Sequence, residues 1–291
     1  MEAVMDLTGQ VVLITGGSRG LGRAFAQAFL SAGARVAIID ILAAELHETA
    51  AQLSSAANQV VAIRADVTDP QAAPQVVTTV EERLGPITLL INNAGQFRAF
   101  GPIGVVDPIA WWNEVEVNLR GPFLYANAVL PGMRRRHNGR IINLASRAGI
   151  QGIPTLSAYV TSKAALIRFS EVLALETLED GVQVFAIHPG TLRTPMNDYV
   201  HDSPEVAKSA PWVQQRFRTV YAQGRDTPIE RPVRLVLRLA AGDADALSGR
   251  YISVDDDLDA LLKECSADPS ADQRLLRVNG VPAFYEGWKR L

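Results

Sequence analysis

The chain has 291 residues, 28 Lys+Arg against 31 Asp+Glu, a net charge of −3, and is 48% hydrophobic and 20% charged. That balance describes an ordinary folded globule; it excludes a disordered or fibrous protein and gives no electrostatic reason to bind nucleic acid. One cysteine, Cys265, cannot form an internal disulfide, and no run approaches the ~20 apolar residues that span a bilayer.

Short apolar runs rich in β-branched residues occur at Val11–Thr15, Arg35–Ile39, Val60–Ala65, Thr88–Asn92 and Arg140–Leu144. Helical periodicity fills the gaps at Leu21–Ser31, Ala43–Ser54, Pro70–Leu84 and Pro108–Arg136. The alternation continues with a helix over Ala158–Leu178, a strand at Gln183–His188 and a last strand at Arg250–Val254. Continuously apolar strands separated by helices belong to a parallel sheet covered on both faces. The pattern therefore predicts a single α/β domain, a doubly wound sheet of seven parallel strands. Two stretches break the rhythm. Residues 191–230 carry Pro195, Pro204, Pro211 and Pro228 beside Trp212, Phe217 and Tyr221, as expected of a lid. Residues 255–291 form a C-terminal extension with Leu258, Leu261, Leu262, Leu275, Leu276, Phe284, Tyr285 and Trp288, which packs on its own subunit or on a neighbour.

Directly after the first strand stands Thr15-Gly16-Gly17-Ser18-Arg19-Gly20-Leu21-Gly22, then a helix. Glycines let the backbone turn tightly against a pyrophosphate, and the helix N-terminus offers unpaired N–H donors and a positive dipole end. Glycines also end strands for structural reasons; the strand, turn, helix context is what points to a dinucleotide. Asp40 ends the second strand, where a carboxylate either reaches adenosine ribose hydroxyls or caps the next helix. A carboxylate there repels a 2′-phosphate and favours NAD over NADP. Arg19 is the counter-signal, placed either to pair with that phosphate or to lie on the surface. Asp66-Val67 and Asn92-Asn93-Ala94-Gly95 fall on the carboxyl edge of the sheet, where doubly wound folds bind ligands, although Asx residues there also form turns.

Tyr159 and Lys163 are four apart in a predicted helix and share a face. Lys is rare in this chain, at 163, 208, 263 and 289, which gives the pairing weight. An ammonium about 4 Å from a phenol contributes on the order of 4 kcal/mol, enough to draw the phenol from near 10 toward the range useful for proton transfer. Ser146 has no His/Asp partners and no elbow glycines, so it reads as a polarising hydroxyl rather than a nucleophile. Asn118, mid-helix, either points to solvent or is buried, opening a carbonyl and holding a water. The histidines read blandly: His47 and His201 exposed, His137 in the basic cluster 134–137, His188 at a strand end. That cluster and Asp255-Asp256-Asp257 read as solvated faces, with no calcium-loop spacing and no metal expected.

Over residues 7–254 these motifs resemble, in order and spacing, the short-chain dehydrogenase/reductase family. The carriers are the glycine turn, Asp66-Val67, Asn92–Gly95, Asn118, Ser146, Tyr159 with Lys163, and Pro189-Gly190 followed by Thr194. The resemblance implies a Rossmann-type fold and hydride transfer between NAD(H) and a secondary alcohol or ketone. Tyr159 would be the general acid/base, Lys163 its pKa-lowering partner and a ribose ligand, Ser146 the carbonyl-orienting donor, and Asn118 the anchor of a water relay. Gly16, Ser18, Arg19, Gly20, Leu21 and Gly22 would cradle the pyrophosphate. Asp40, Asp66, Val67 and Asn93 would hold the adenosine half, and Pro189, Gly190, Leu192 and Thr194 the nicotinamide half. Two alternatives stand beside this: an NADPH-dependent 3-oxoacyl reductase, favoured by Arg19, and a non-catalytic dinucleotide sensor. The resemblance further implies a homodimer or homotetramer through the long helices 108–136 and 158–178. At the last strand Asp255-Asp256-Asp257 departs from the glycine pair that many members carry, which leaves tetramer packing there open. With no basic stretch followed by an apolar segment before Gly9, a cytoplasmic location is expected. Pocket walls are expected from Gln96–Phe100, Arg147–Thr155 and the lid. Ile150, Ile153, Leu156, Met196 and Tyr199 suggest an apolar substrate body, and Arg98, Arg147 and Arg193 are candidate anchors for an acidic group.

Overall fold

The computed structural model describes residues 5–53, 59–267 and 274–276. Strands β1 (Val11–Thr15), β2 (Arg35–Asp40), β3 (Val60–Arg64), β4 (Leu89–Asn92), β5 (Gly139–Leu144), β6 (Val182–His188) and β7 (Tyr251–Ser253) pair in parallel in the order β3-β2-β1-β4-β5-β6-β7. Side chains alternate between two dry layers. Val12, Ile14, Val36 and Ile38 face one side, and Val11, Leu13, Ala37 and Ile39 the other. The chain winds outward from β1 to β3, then returns to β4 on the far side of β1. The carboxyl ends of β1 and β4 therefore flank a crevice where this topology binds ligands.

The connecting helices are α1 (Gly20–Ser31), α2 (Ala43–Leu53), α3 (Ala72–Leu84), α4 (Pro108–Val115), α5 (Gly121–Arg136) and α6 (Ser157–Glu176). The expected long helix 108–136 runs through, but Glu116–Arg120 between α4 and α5 is wound as a wider π turn. Gly121 N–H reaches back to the Glu116 carbonyl, and Pro122 has no N–H to give the Asn118 carbonyl four residues behind it. The wide turn holds Asn118 fully buried.

The lid resolves into α7 (Pro195–Asp202), α8 (Pro204–Ser209) and α9 (Pro211–Ala222). Its prolines open the helices, where a missing N–H costs nothing, and the Thr194 and Ser203 hydroxyls accept the first free amides of α7 and α8. Val200, Val206 and Val213 press the lid onto Phe97, Phe100 and Leu156. Helix α10 (Glu230–Ala241) has no counterpart among the expected elements, because arginines interrupt its apolar run. Leu235, Val236, Leu239 and Ala240 nevertheless fall on one face and are buried beside α1.

The described part of the extension packs on its own subunit. In α11 (Leu258–Ala267), Leu258, Leu261 and Cys265 join the layer of α1 and α10, and the Asp257 carboxylate accepts the first free amides at 3.1 Å. The Arg274 carbonyl takes the Tyr251 N–H at 2.9 Å on the edge of β7. Phe284, Tyr285, Trp288 and Ser54 lie outside the described residues. The two charged clusters are largely exposed, as expected of solvated faces, and also make ion pairs and hydrogen bonds. Arg134 pairs with Asp180 at 2.6 Å, Arg136 donates to the Ile87 carbonyl at 2.8 Å, and Asp255 is shared by Arg147 at 2.9 Å and Arg231 at 3.3 Å. Among the described residues, no helix is long and apolar enough to cross a membrane.

Candidate active site

A cleft of about 940 Å³ opens along the carboxyl edge of the sheet, from the glycine turn to the lid. Three glycines of that turn, Gly16, Gly17 and Gly22, leave no room for a side chain. Gly16 has φ +63°, and a Cβ on it would lie 2.8 Å from Ala94 Cα; a Cβ on Gly22 would lie 2.1 Å from the Gly16 carbonyl oxygen. Arg19, Gly20 and Leu21 line the cleft with Gly16. Ser18 braces the turn from behind, and Asn93 braces it while lining the cleft. Asn93 Nδ2 donates to the Thr15 and Gly16 carbonyls at 3.0 and 2.9 Å. Ser18 Oγ donates to Asp40 Oδ2 at 2.6 Å, and its carbonyl takes the Thr49 hydroxyl at 2.5 Å. Ser18 is buried, so its side chain positions the cradle rather than forming its surface.

At the end of the cleft beside β2 and β3, Asp40, Ile41, Leu42, Asp66, Val67 and Thr68 form the wall. Asp40 does not cap α2; its Oδ1 accepts the Leu42 N–H at 3.1 Å in a tight Asx turn just before that helix. Asp66 folds its own turn, accepting from Thr68 N and Oγ1 at 2.9 and 2.8 Å. The Arg19 guanidinium lies 3.9 Å from the Glu45 carboxylate, both exposed.

Ser146, Tyr159 and Lys163 converge in mid-cleft. Lys163 is buried and donates from Nζ to the Leu144 carbonyl at 2.7 Å, with Nζ 5.6 Å from the Tyr159 ring centroid. Burial dominates and pushes the Tyr159 phenol up to about 12, while a hydrogen bond with the Ser146 hydroxyl draws it back down. Burial likewise presses Lys163 down to about 8. The largest influence on the phenol is therefore desolvation, which acts against the depression expected from spacing alone.

Asn118 is neither at the surface nor in the lining. Its Oδ1 accepts Gln96 N–H at 2.8 Å, while Nδ2 donates to the Gln96 carbonyl at 2.9 Å and to Ser162 Oγ at 3.2 Å. The side chain is committed to clamping the segment after β4. Pro189, Gly190, Leu192 and Thr194 line the far end. There the Leu192 carbonyl is taken by Asn197 Nδ2 at 2.9 Å and Tyr221 Oη at 3.0 Å. His188 beside them is held neutral, burial pushing it down to about 4.

The substrate side is apolar. Phe97 lies on the Tyr159 ring at 4.3 Å, and Ile153, Leu156, Met196, Val213 and Phe217 continue the surface. Ile150 is instead 49% exposed, and Tyr199 packs in the layer beneath the lid. The three proposed acid anchors are engaged: Arg98 stacks on Tyr199 at 3.5 Å, Arg147 pairs with Asp255, and Arg193 pairs with Asp226 at 3.0 Å. Sequence reasoning missed Glu114, fully buried one helical turn before Asn118. The available signal was its i,i+4 spacing to Asn118, which placed both on one face.

A glycine turn at a helix N-terminus and the group of Tyr159, Lys163 and Ser146 share one cleft at the carboxyl edge of a doubly wound sheet, the arrangement of an NAD(P)-dependent oxidoreductase. The chain belongs to the short chain dehydrogenase family, whose sequence profile matches residues 10–205. It is 36% identical over 256 residues to 2-(S)-hydroxypropyl-CoM dehydrogenase 3 of Xanthobacter autotrophicus, covering 88% of this chain and 98% of that one. Galactitol 2-dehydrogenase of Agrobacterium fabrum is 40% identical over 189 residues, covering 65% of this chain and 72% of its own. Among solved structures, levodione reductase superposes with a TM-score of 0.77 at 31% identity, covering 85% of this chain and 96% of that one.

Proposed function

We propose that the protein transfers hydride between NAD(H) and a secondary alcohol or its ketone, with Tyr159 as general acid/base. The observation that carries this reading is the Tyr159 phenol, bonded to Ser146 and set between Lys163 and the apolar wall of Phe97. A bound nicotinamide supplies the hydride acceptor and, when oxidised, a positive charge that favours phenolate. Gly16 and Gly20, which line the cleft at positive φ, suit the close approach of a pyrophosphate, while Gly22 lets the turn close on itself behind them. Ser146 orients the substrate oxygen toward Tyr159 Oη, Tyr159 takes or gives the hydroxyl proton, and Lys163 keeps N–H donors for a ribose beyond its bond to Leu144. The Asn118 carbonyl would hold a water behind Lys163. Relatives named for hydroxypropyl-CoM, galactitol and hydroxysteroids support an alcohol substrate while differing in its shape. A panel of secondary alcohols with NAD and with NADP, followed by nicotinamide absorbance, tests the reading; dinucleotide binding without turnover of any alcohol would favour a sensor.

Asp40 supports NAD, and the Glu45 carboxylate beside Arg19 lowers that residue's value as a 2′-phosphate ligand. Asp40→Ala should weaken NAD binding about tenfold and narrow the NAD-to-NADP ratio of kcat/KM by at least that factor, since a charge-assisted bond is worth about 1.5–3 kcal/mol. An unchanged ratio would move the assignment toward NADPH.

The faces of α4, α5 and α6 support a homodimer: Trp112 is 61% exposed, Phe123 49% and Leu175 64%. Phe123→Asp should shift the sedimentation coefficient to that of a smaller species, whereas an unchanged species would remove this face from the assembly.

A further inference from the structure

Glu114 sits on α4, which is tied to α6 by the Trp111 indole N–H on Ser157 Oγ at 3.0 Å. It is a fully buried carboxylate. Oε2 accepts the backbone amides of Arg98 and Ala99 at 2.5 and 2.8 Å, while Oε1 is buried with no hydrogen-bond partner. One helical turn later Asn118 clamps Gln96 in the same way. Helix α4 and the π turn thus grip the segment 96–99 through the main chain of Gln96, Arg98 and Ala99, and Phe97, between them, lies against Tyr159. Gly95 at the head of the segment lets Asn118 and Lys163 approach: the position of a Cβ on it is 3.1 Å from Asn118 Oδ1 and 3.8 Å from Lys163 Nζ.

Two amide donors can be satisfied by a neutral carbonyl oxygen, so clamping alone does not call for a charge. Burying an uncompensated carboxylate is costly, and such a group persists where its field is used. The charged and titratable groups facing Glu114 are Lys163 and Tyr159, both on α6; from the 96–99 segment only amides reach it, since the Arg98 guanidinium lies on Tyr199. We propose that Glu114 is a positioning residue for the reaction assigned above: its carboxylate holds Phe97 against Tyr159 and supplies the anion that keeps Lys163 an ammonium. The proposal rests on that functional reading. Burial raises the Glu114 carboxyl above its ordinary value, the Arg98 and Ala99 amides and the Lys163 ammonium draw it back down, and Glu114 in turn raises both Lys163 and Tyr159.

Glu114→Gln keeps an oxygen for the two amides and removes the charge. Both limbs of the kcat/KM–pH profile for alcohol oxidation should move to lower pH, by about half a unit or more, with NADH affinity unchanged. Loss of rate with both limbs in place is what a purely structural role predicts, and it would overturn the charge assignment. A turnover-free reading comes from the ultraviolet ionisation of Tyr159, taken as the difference between each protein and its Tyr159→Phe counterpart. It should show the same downward shift, and no shift would sink the proposal even if no alcohol is turned over. Wild-type inactivity toward every alcohol, with the shift present, would fail the functional reading alone. Should Glu114→Gln not fold, Glu114→Asp decides. Its shorter reach with retained charge should lower kcat about tenfold with the limbs unmoved, and wild-type kcat would refute the clamp.

Discussion

Tyr159→Phe is expected to lower kcat by about 10³-fold while leaving dinucleotide affinity within about twofold, because positioned proton transfer contributes roughly 10²–10⁴. The substitution removes one oxygen and little else: the ring keeps its place on Phe97 and beside Lys163. The pH dependence carries the same argument with a definite sign. Oxidation uses the deprotonated phenol, and burial pushes that phenol up to about 12. The rate of alcohol oxidation should therefore climb as pH rises from neutrality, while ketone reduction, which uses the protonated form, should fall at high pH. Lys163, pressed down to about 8, loses its charge within the same range and should bend the rising limb over. Steady-state profiles in both directions check this. A Phe variant with wild-type kcat would remove Tyr159 from the proton path, and an oxidation rate falling with pH would reverse its role.

Gly22→Ala should be nearly as damaging, by a different route. The new methyl would meet the Gly16 carbonyl oxygen at 2.1 Å and Asn93 Nδ2 at 2.7 Å, neither of them the free end of a flexible chain. The turn must shift, losing the Asn93 brace and the cradle together. Overpacking of this kind costs about 1–3 kcal/mol, and dinucleotide Kd should rise more than tenfold. Denaturant unfolding and an NADH fluorescence titration measure the two effects. Gly152→Ala is the control: its Cβ meets nothing within 4 Å, so stability should be unchanged. Equal behaviour of the two variants would refute the steric account of the turn.

The amino-acid order alone determined the alternating strands and helices, the glycine turn at the head of α1 and the shared face of Tyr159 and Lys163. Those features follow from local periodicity and turn chemistry, which short stretches express without reference to distant residues. The π turn at Asn118 could not be read from the helical rhythm, because a shift of one hydrogen-bond partner leaves the apolar pattern nearly unchanged. Helix α10 was hidden by arginines whose stems lie outside the layer that its leucines join. Only the tertiary structure decided which polar groups are spent on one another: Asn93 on Thr15 and Gly16, Asn118 on Gln96, Ser18 on Asp40, Glu114 on the amides of 98 and 99. It also set how far burial raises the phenol. Spacing places two groups on one face of a helix, but the water removed from around them depends on every element packed above, and that removal is the largest influence on Tyr159.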